Sequence, residues 1–296
     1  MKSEAHTLKA QINEVKDYIS LLKPRVMSLV VFTGLCGMLV APGHIHPLVA
    51  FISILCITIG SGASGAINMW YERELDKKML RTQNRALPQG RLDPKNAIDF
   101  AGFLAFASVF IMAFAVNVMA AFLLLCAILF YVFIYTIWLK PRTPQNIVIG
   151  GAAGAFPPLI GWASVTGDVS VNSFVLFLII FLWTPPHFWA LSLFRNEDYK
   201  RAGIPMMPVI HGPAETKKQM LIYTIILFLV TLLPFFFHSS SYIYLAAATV
   251  LGLKFLHHAV KVFKDPAEIN AKKMFGFSII YLFALFFSLV IDHFVL

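Results

Sequence analysis

Lys and Arg divide the chain into apolar stretches that contain neither: residues 26–72, 96–139, 143–194, 219–253 and 274–296. A bilayer crossing takes about 20 mostly apolar residues. Lengths of 47, 44, 52, 35 and 23 residues therefore predict two, two, two, two and one spans. Turn-forming runs at Ala41-Pro42-Gly43-His44, Val165-Thr166-Gly167-Asp168 and His238-Ser239-Ser240-Ser241 divide three of the pairs. Strand-like alternation is missing. The expected fold is all-α: nine transmembrane helices around a central cavity, forming a single domain over residues 1–296.

Charge then orients the bundle. All 24 Lys and Arg fall in the N-terminal tail or in loops after even-numbered helices. The positive-inside rule makes those segments cytoplasmic. The tail, residues 1–24, is then inside and the Asp292-to-Leu296 end is periplasmic. Topology accounts for the net charge of +9, and no basic aromatic face suggests nucleic acid. A 58% hydrophobic composition and mean hydropathy of +0.75 exclude an ordinary soluble core. Cys36, Cys56 and Cys126 lie singly in apolar runs, without the spacing of a zinc, iron–sulfur or haem-attachment motif. The first 25 residues mix acids with lysine instead of forming a cleavable leader, and a bacterial inner membrane is the expected location.

Two expected cytoplasmic loops, 68–95 and 195–218, stand out by length and polarity. Small residues fill Gly60 to Ala66 and Gly150 to Ala155. They suit close helix packing in lipid, or room for a bulky guest. Pro157-Pro158 and Pro185-Pro186 are expected to break the helical hydrogen-bond ladder.

The first loop carries the chemistry. Residues 68–90 hold eight charges. Asn68, Glu72 and Asp76 are four apart and share one face of any helix that continues into the loop. Arg73, Lys77, Arg81 and Arg85 repeat at the same interval. Like charges at that spacing weaken a helix. Two carboxylates and an amide make an oxygen-rich site for Mg²⁺, which commonly completes its octahedron with water and substrate phosphate. Arg and Lys beside it suit the remaining phosphate charge. A solvated, ion-paired helix face is the competing reading. Burying the eight charges in lipid at about 2.5–3.5 kcal/mol each is prohibitive, so the segment belongs at the interface. There a polar head and an apolar tail are accommodated together, as in a lipid diphosphate.

The pattern Asn68-x-x-x-Glu72-x-x-x-Asp76, followed by Arg81-Thr82-x-Asn84-Arg85-x-Leu87-Pro88, resembles the signature of the UbiA-type intramembrane prenyltransferases. Tyr135 to Asn146, "GGAAGAFPPLIGW" (150–162), "TPPHFWALS" (184–192) and "DYKRAGIPMMP" (198–208) extend the likeness over most of the chain. The last two resemble the haem-modifying branch, the haem O synthases. The resemblance implies an Mg²⁺-dependent enzyme of nine helices. Such an enzyme transfers farnesyl from farnesyl diphosphate to a vinyl group of haem B. It implies membrane lipid as surroundings, and a haem A synthase or terminal oxidase as an assembly partner. Expected metal ligands are Asn68, Glu72, Asp76 and Asp198. Expected substrate contacts are Arg73, Lys77, Arg81 and Arg85, with Lys140 and Arg142 between helices 4 and 5. Tyr199 and Lys200 would add contacts from the second loop, and His187 a contact to haem. Glu72 stands where the family pattern has Asp, and the second loop lacks a clean D-x-x-x-D. Arg25 has either a topological or a phosphate role. Prenylation of an aromatic quinone precursor, or a multi-pass transporter, are the alternatives.

Overall fold

The computed structural model describes residues 2–266 and 269–295; the side chains of residues 2–11 and 25, and hence any role of Arg25, lie outside the described set. The described residues are helical throughout, without strands. In chain order the helices are α1 (Lys2–Leu21), α2 (Pro24–Leu39), α3 (Pro47–Tyr71), α4 (Arg73–Asp76), α5 (Pro94–Ala115) and α6 (Val118–Leu129). α6 runs into a π-helical segment, Phe130–Leu139. There follow α7 (Asn146–Thr166), α8 (Val171–Phe194), α9 (Asn196–Ala202), α10 (Met207–Ile210), α11 (Gly212–Thr231), α12 (Leu233–Phe236), α13 (Tyr242–Lys264) and α14 (Ile269–Val295).

Among the described residues eight spans are long and apolar enough to cross a membrane; α1 and α2 taken together, bent 55° from one another, are the candidate ninth. α2 has only 16 residues, so it is short for the task. Local signals place the helix starts. His46 and Asp93 accept backbone N–H groups as N-caps, each followed by Pro at the first helical position. Ser170 and Ser173 form a reciprocal capping box on α8.

Successive crossings pack side by side as a closed circuit, from α2 through α3, α5, α6, α7, α8, α11, α13 and α14 back to α2. A direct contact of α2 with α7 crosses the circuit. It separates one core around α3, α5 and α6 from a larger one around α8, α11, α13 and α14. Glycine makes that crossing possible. A Cβ on Gly161 would sit 2.0 Å from the Gly34 carbonyl oxygen, and one on Gly37 would sit 2.1 Å from that of Pro158. The proline pairs do not interrupt their helices as expected: α7 and α8 run continuously through them. On α7 the turn holding Pro157 and Pro158 is instead where α2 lays Gly34 and Gly37 against the backbone.

Candidate active site

The acidic row sits where α3 leaves the bundle. Asn68, Glu72 and Asp76 are all buried, at 3%, 6% and 0% exposure. The helix does not continue straight into the loop. α3 ends at Tyr71, Glu72 takes a turn conformation at φ −89°, ψ 7°, and α4 lasts four residues. One hydrogen bond carries the helical register across the break, from the Asp76 amide to the Glu72 carbonyl at 2.8 Å. The three predicted ligands thus stay together while the chain beyond them folds back. Thr82 locks that return by donating its hydroxyl to the Asp76 carbonyl at 3.0 Å.

The fold-back divides the cationic row, which does not form one stripe. Arg85 returns to Asp76 and donates to Oδ2 at 2.7 Å. Arg73 lies over the Trp70 ring and donates to its carbonyl. Lys77 pairs with exposed Glu74 at 2.8 Å. Arg81 is exposed, within electrostatic range of Tyr135.

The opposite wall comes from the π-helical segment. The Lys140 amide donates to the Tyr135 carbonyl, five residues back. At about 4.4 residues per turn, Tyr131, Tyr135, Thr136 and Lys140 fall on one face, whereas an α-helix would put Tyr131 and Lys140 on opposite sides. Lys140 reaches Glu72 at 2.6 Å, and Thr136 accepts from the Asn68 amide at 3.1 Å.

A sixth member was not singled out by spacing. Lys23 donates to Asn68 Oδ1 at 3.0 Å, within electrostatic range of Glu72, Asp76, Arg85 and Lys140. It occupies the left-handed region, φ 52°, immediately before Pro24, an uncommon conformation for a lysine. Gly62 gives this turn room, since a Cβ there would crowd Leu22 at 3.2 Å, and Gly65 lies in ordinary contact range of Lys23. Burial, and then Arg85, push the Lys23 ammonium down to about 7. Lys23, Tyr131, Tyr135 and Lys140 are each partly buried. The glycine run was the signal that something packs here; its partner is tertiary.

The donor set suits a hard cation. Asp76 Oδ1 is fully buried without a hydrogen-bond partner, beside two further oxygen donors. Among the described residues no three His, Cys, Asp or Glu converge into a complete metal site. An ion here would therefore draw ligands from phosphate and water as well.

The second loop packs directly against the first. Tyr199, Ala202, Ile204 and Met206 share a core with Leu75, Met79 and Ile147. Asn146, which is fully buried, ties the second loop to the connection before α7 by donating to the carbonyls of Thr143 and Pro205 at 2.6 and 3.4 Å. The charged ends point elsewhere. Asp198 pairs with Arg201 at 2.6 Å and does not form a three-carboxylate group with Glu72 and Asp76. Lys200 pairs with exposed Glu197, and Arg142 caps the carbonyls of Ile137 and Trp138.

With this architecture the sequence comparisons agree. The family model described as "UbiA prenyltransferase family" matches residues 30–290. The chain belongs to the UbiA prenyltransferase family. It is similar to Protoheme IX farnesyltransferase of Rickettsia bellii, 56% identical over 276 residues, covering 93% of this chain and 92% of that one. The corresponding protein of Ehrlichia canis is 51% identical over 295 residues, covering 99% and 100%. Solved structures share the fold at lower identity. A digeranylgeranylglyceryl phosphate synthase superposes with a TM-score of 0.81 at 18% identity, over 96% of this chain and 100% of that one. A UbiA homologue from Archaeoglobus fulgidus bound to GPP and Mg²⁺ gives 0.62 at 16%, over 93% and 99%. The chain is accordingly a membrane-embedded prenyltransferase of a family in which a divalent metal is found.

His187 stands apart from the charged cradle, inside α8. Its ring is stacked between Trp183 and Phe275 at 4.2 and 4.6 Å, and Nδ1 meets Ser278 Oγ at 2.6 Å. Both flat faces are therefore covered. Only the ring edge carrying Nε2 is left for another partner.

Proposed function

We propose that the chain transfers the farnesyl group of farnesyl diphosphate to a vinyl group of haem B, forming haem O. In this reading Asn68, Glu72 and Asp76 would hold Mg²⁺, and Asp198 would contribute from the second loop by leaving its present pair with Arg201. The observation that carries it is the orphaned, buried Asp76 oxygen set among Lys23, Arg85 and Lys140 at the head of an apolar bundle. The names of the relatives at 51–56% identity support the choice of haem as acceptor.

Bound there, the metal would neutralise the diphosphate and make it a good leaving group. The chain's own groups do the rest. Arg85 and Lys140 now neutralise Asp76 and Glu72; each carboxylate that turns to a metal frees its cation for a phosphate oxygen, Arg85 as a fork and Lys140 as a point charge. Lys23 adds a third cation from the α2 mouth. In this reading the positive charge of Arg73, Lys77, Arg81, Arg142 and Lys200 draws the anion toward this end of the bundle, where Tyr199 offers its hydroxyl. The allylic C–O bond breaks with its electron pair going to the diphosphate. Farnesyl C1 then bonds to the vinyl carbon. Water adds hydroxide to the carbon left cationic and loses a proton, giving the hydroxyethylfarnesyl side chain. The faces of Tyr131 and Tyr135 favour a passing cation, and aliphatic helix walls keep bulk water away. His187 offers its Nε2 edge to haem or to a proton.

The site in this reading faces the cytoplasm of a bacterial inner membrane, and the product passes to a haem A synthase or terminal oxidase. Membranes containing the chain, given haem B and labelled farnesyl diphosphate, should yield labelled haem O by mass spectrometry. Label appearing on an aromatic quinone precursor instead, with haem unmodified, would overturn the acceptor assignment.

A further inference from the structure

A second charged surface lies away from the cradle, at the same end of the bundle. Lys217 of α11 donates to the Asp265 carbonyl at 2.7 Å, tying the start of α11 to the end of α13. On α13, Lys254, His257, His258, Lys261 and Lys264 fall within an arc of about 120° at 100° per residue. The buried residues Phe255, Ala259 and Val262 occupy a different arc. Lys272 and Lys273 stand exposed at the head of α14. His257, Lys254, Lys261 and Lys273 all lie within electrostatic range of His258.

Among the described residues these lysines form no ion pair. Among the described residues no carboxylate lies within 4.0 Å of Lys254, Lys261, Lys264, Lys272 or Lys273, whereas Lys77, Lys140, Lys200, Arg85, Arg91 and Arg201 are each ion-paired. Asp265, in the wall of the adjoining cleft of about 440 Å³, uses Oδ2 to accept both nitrogens of Asn270. The patch also has an aromatic floor. Lys254 stands 5.2 Å above the Phe277 ring, and His258 stacks on it at 4.8 Å.

Loop topology does not account for the arrangement. Lys254 lies ten residues before the end of α13, about 15 Å along the helix, and it belongs to a lipid-facing stripe. Ile243 and Val250 fall in the same arc and are 44% and 66% exposed. The surface therefore offers apolar contact below and unpaired ammonium groups above.

We propose that the outer face of α13 and the head of α14 bind the headgroup phosphate of an anionic phospholipid through Lys254, Lys261 and Lys273, with its acyl chains along Val250 and Ile243. Each lysine near an anionic lipid surface contributes favourably, and Lys254, Lys261 and Lys273 are grouped around His258. The purified full chain, examined by native mass spectrometry, should retain phosphatidylglycerol over phosphatidylcholine of the same chains by at least about tenfold. The triple variant K254Q/K261Q/K273Q should bring the ratio close to one, while the triple Arg variant should keep it. Should the Gln triple fail to fold, K254Q alone should lower the ratio measurably. An unchanged ratio in the Gln variants, or no preference in the wild type, overturns the proposal. So does displacement of the lipid by millimolar inorganic phosphate, which would mark a small-anion site.

Discussion

Asp76 is fully buried, and its two carboxylate oxygens are treated differently by the fold. Oδ2 takes the Arg85 guanidinium, while Oδ1 has no partner. A buried orphan of this kind costs about 1–3 kcal/mol, which a bound ligand would recover. Asp76→Asn removes the charge and keeps the size. The variant should insert and purify like the wild type but turn over at least about 10²-fold more slowly, the usual scale for losing one electrostatic group at a reacting centre. Wild-type turnover in that variant would remove Asp76 from the site. At this scale the sequence was legible where the chemistry is local. Asn68, Glu72 and Asp76 are held by one hydrogen-bond register, and their spacing survives the break at Glu72. Lys23 was not legible because it reaches Asn68 across 45 positions, by way of a left-handed turn that no periodicity signals. Arg73, Lys77, Arg81 and Arg85 were legible as cations but not as a group, since their alignment depended on a helix that ends after four residues.

Helices add a second kind of information, in which small residues mean different things at different positions. Gly161 and Gly37 allow α2 and α7 to touch backbone to backbone; Gly62 gives the Leu22–Lys23 turn room, with Gly65 in ordinary contact range of it; a Cβ on Gly154 would meet nothing within 4 Å. In the sequence Gly62, Gly65 and Gly154 belong to small-residue runs that read alike, and Gly37 and Gly161, which set the crossing, lie outside them. Gly161→Ala should therefore push α2 off α7. Overpacking costs about 1–3 kcal/mol where side chains can adjust; a contact against carbonyl oxygen has no rotamer to relieve it, so the loss should reach or exceed that range. Gly154→Ala should change the midpoint of thermal unfolding little. Equal midpoints for the two variants would refute this account of the crossing. The turns were readable at this scale because Pro, Gly, Ser and Asp caps are local, whereas the end of α13 was not: the helix runs to Lys264, past the apolar stretch that ends at residue 253, and carries Lys254, Lys261 and Lys264 within it. The π-helical register was not: "FYVFIYTIWL" is apolar in any register, and only the Lys140 amide reaching Tyr135 reveals the shift that brings Lys140 to Glu72.

The circuit of helices has a consequence for the whole molecule that neither residues nor helices show alone. With α2 crossing beside the eight longer spans the number is odd and the two ends of the chain fall on opposite faces; alternation then puts both active-site loops, the α4–α5 connection and the α13–α14 junction at one end. The turns at 41–44, 167–170 and 238–241 are then at the other. There Asp292 of α14 accepts from the Ser241 and Tyr244 amides and caps α13. The distribution of Lys and Arg argues that the active-site end is cytoplasmic. The weak link is α2, whose 16 residues span only about 24 Å against a hydrocarbon core of about 30 Å. If α2 failed to cross, every later element would be inverted relative to the N-terminal tail. Exposed His44, between α2 and α3, and exposed Lys78, beyond α4, report on this directly. In a background without Cys36, Cys56 and Cys126, His44→Cys should react with a membrane-impermeant maleimide added to spheroplasts. Lys78→Cys should react only after permeabilisation. Labelling of both positions from one side would mean that α3 does not cross, and the reverse pattern would put the diphosphate site on the periplasmic face, where the positive-inside argument fails.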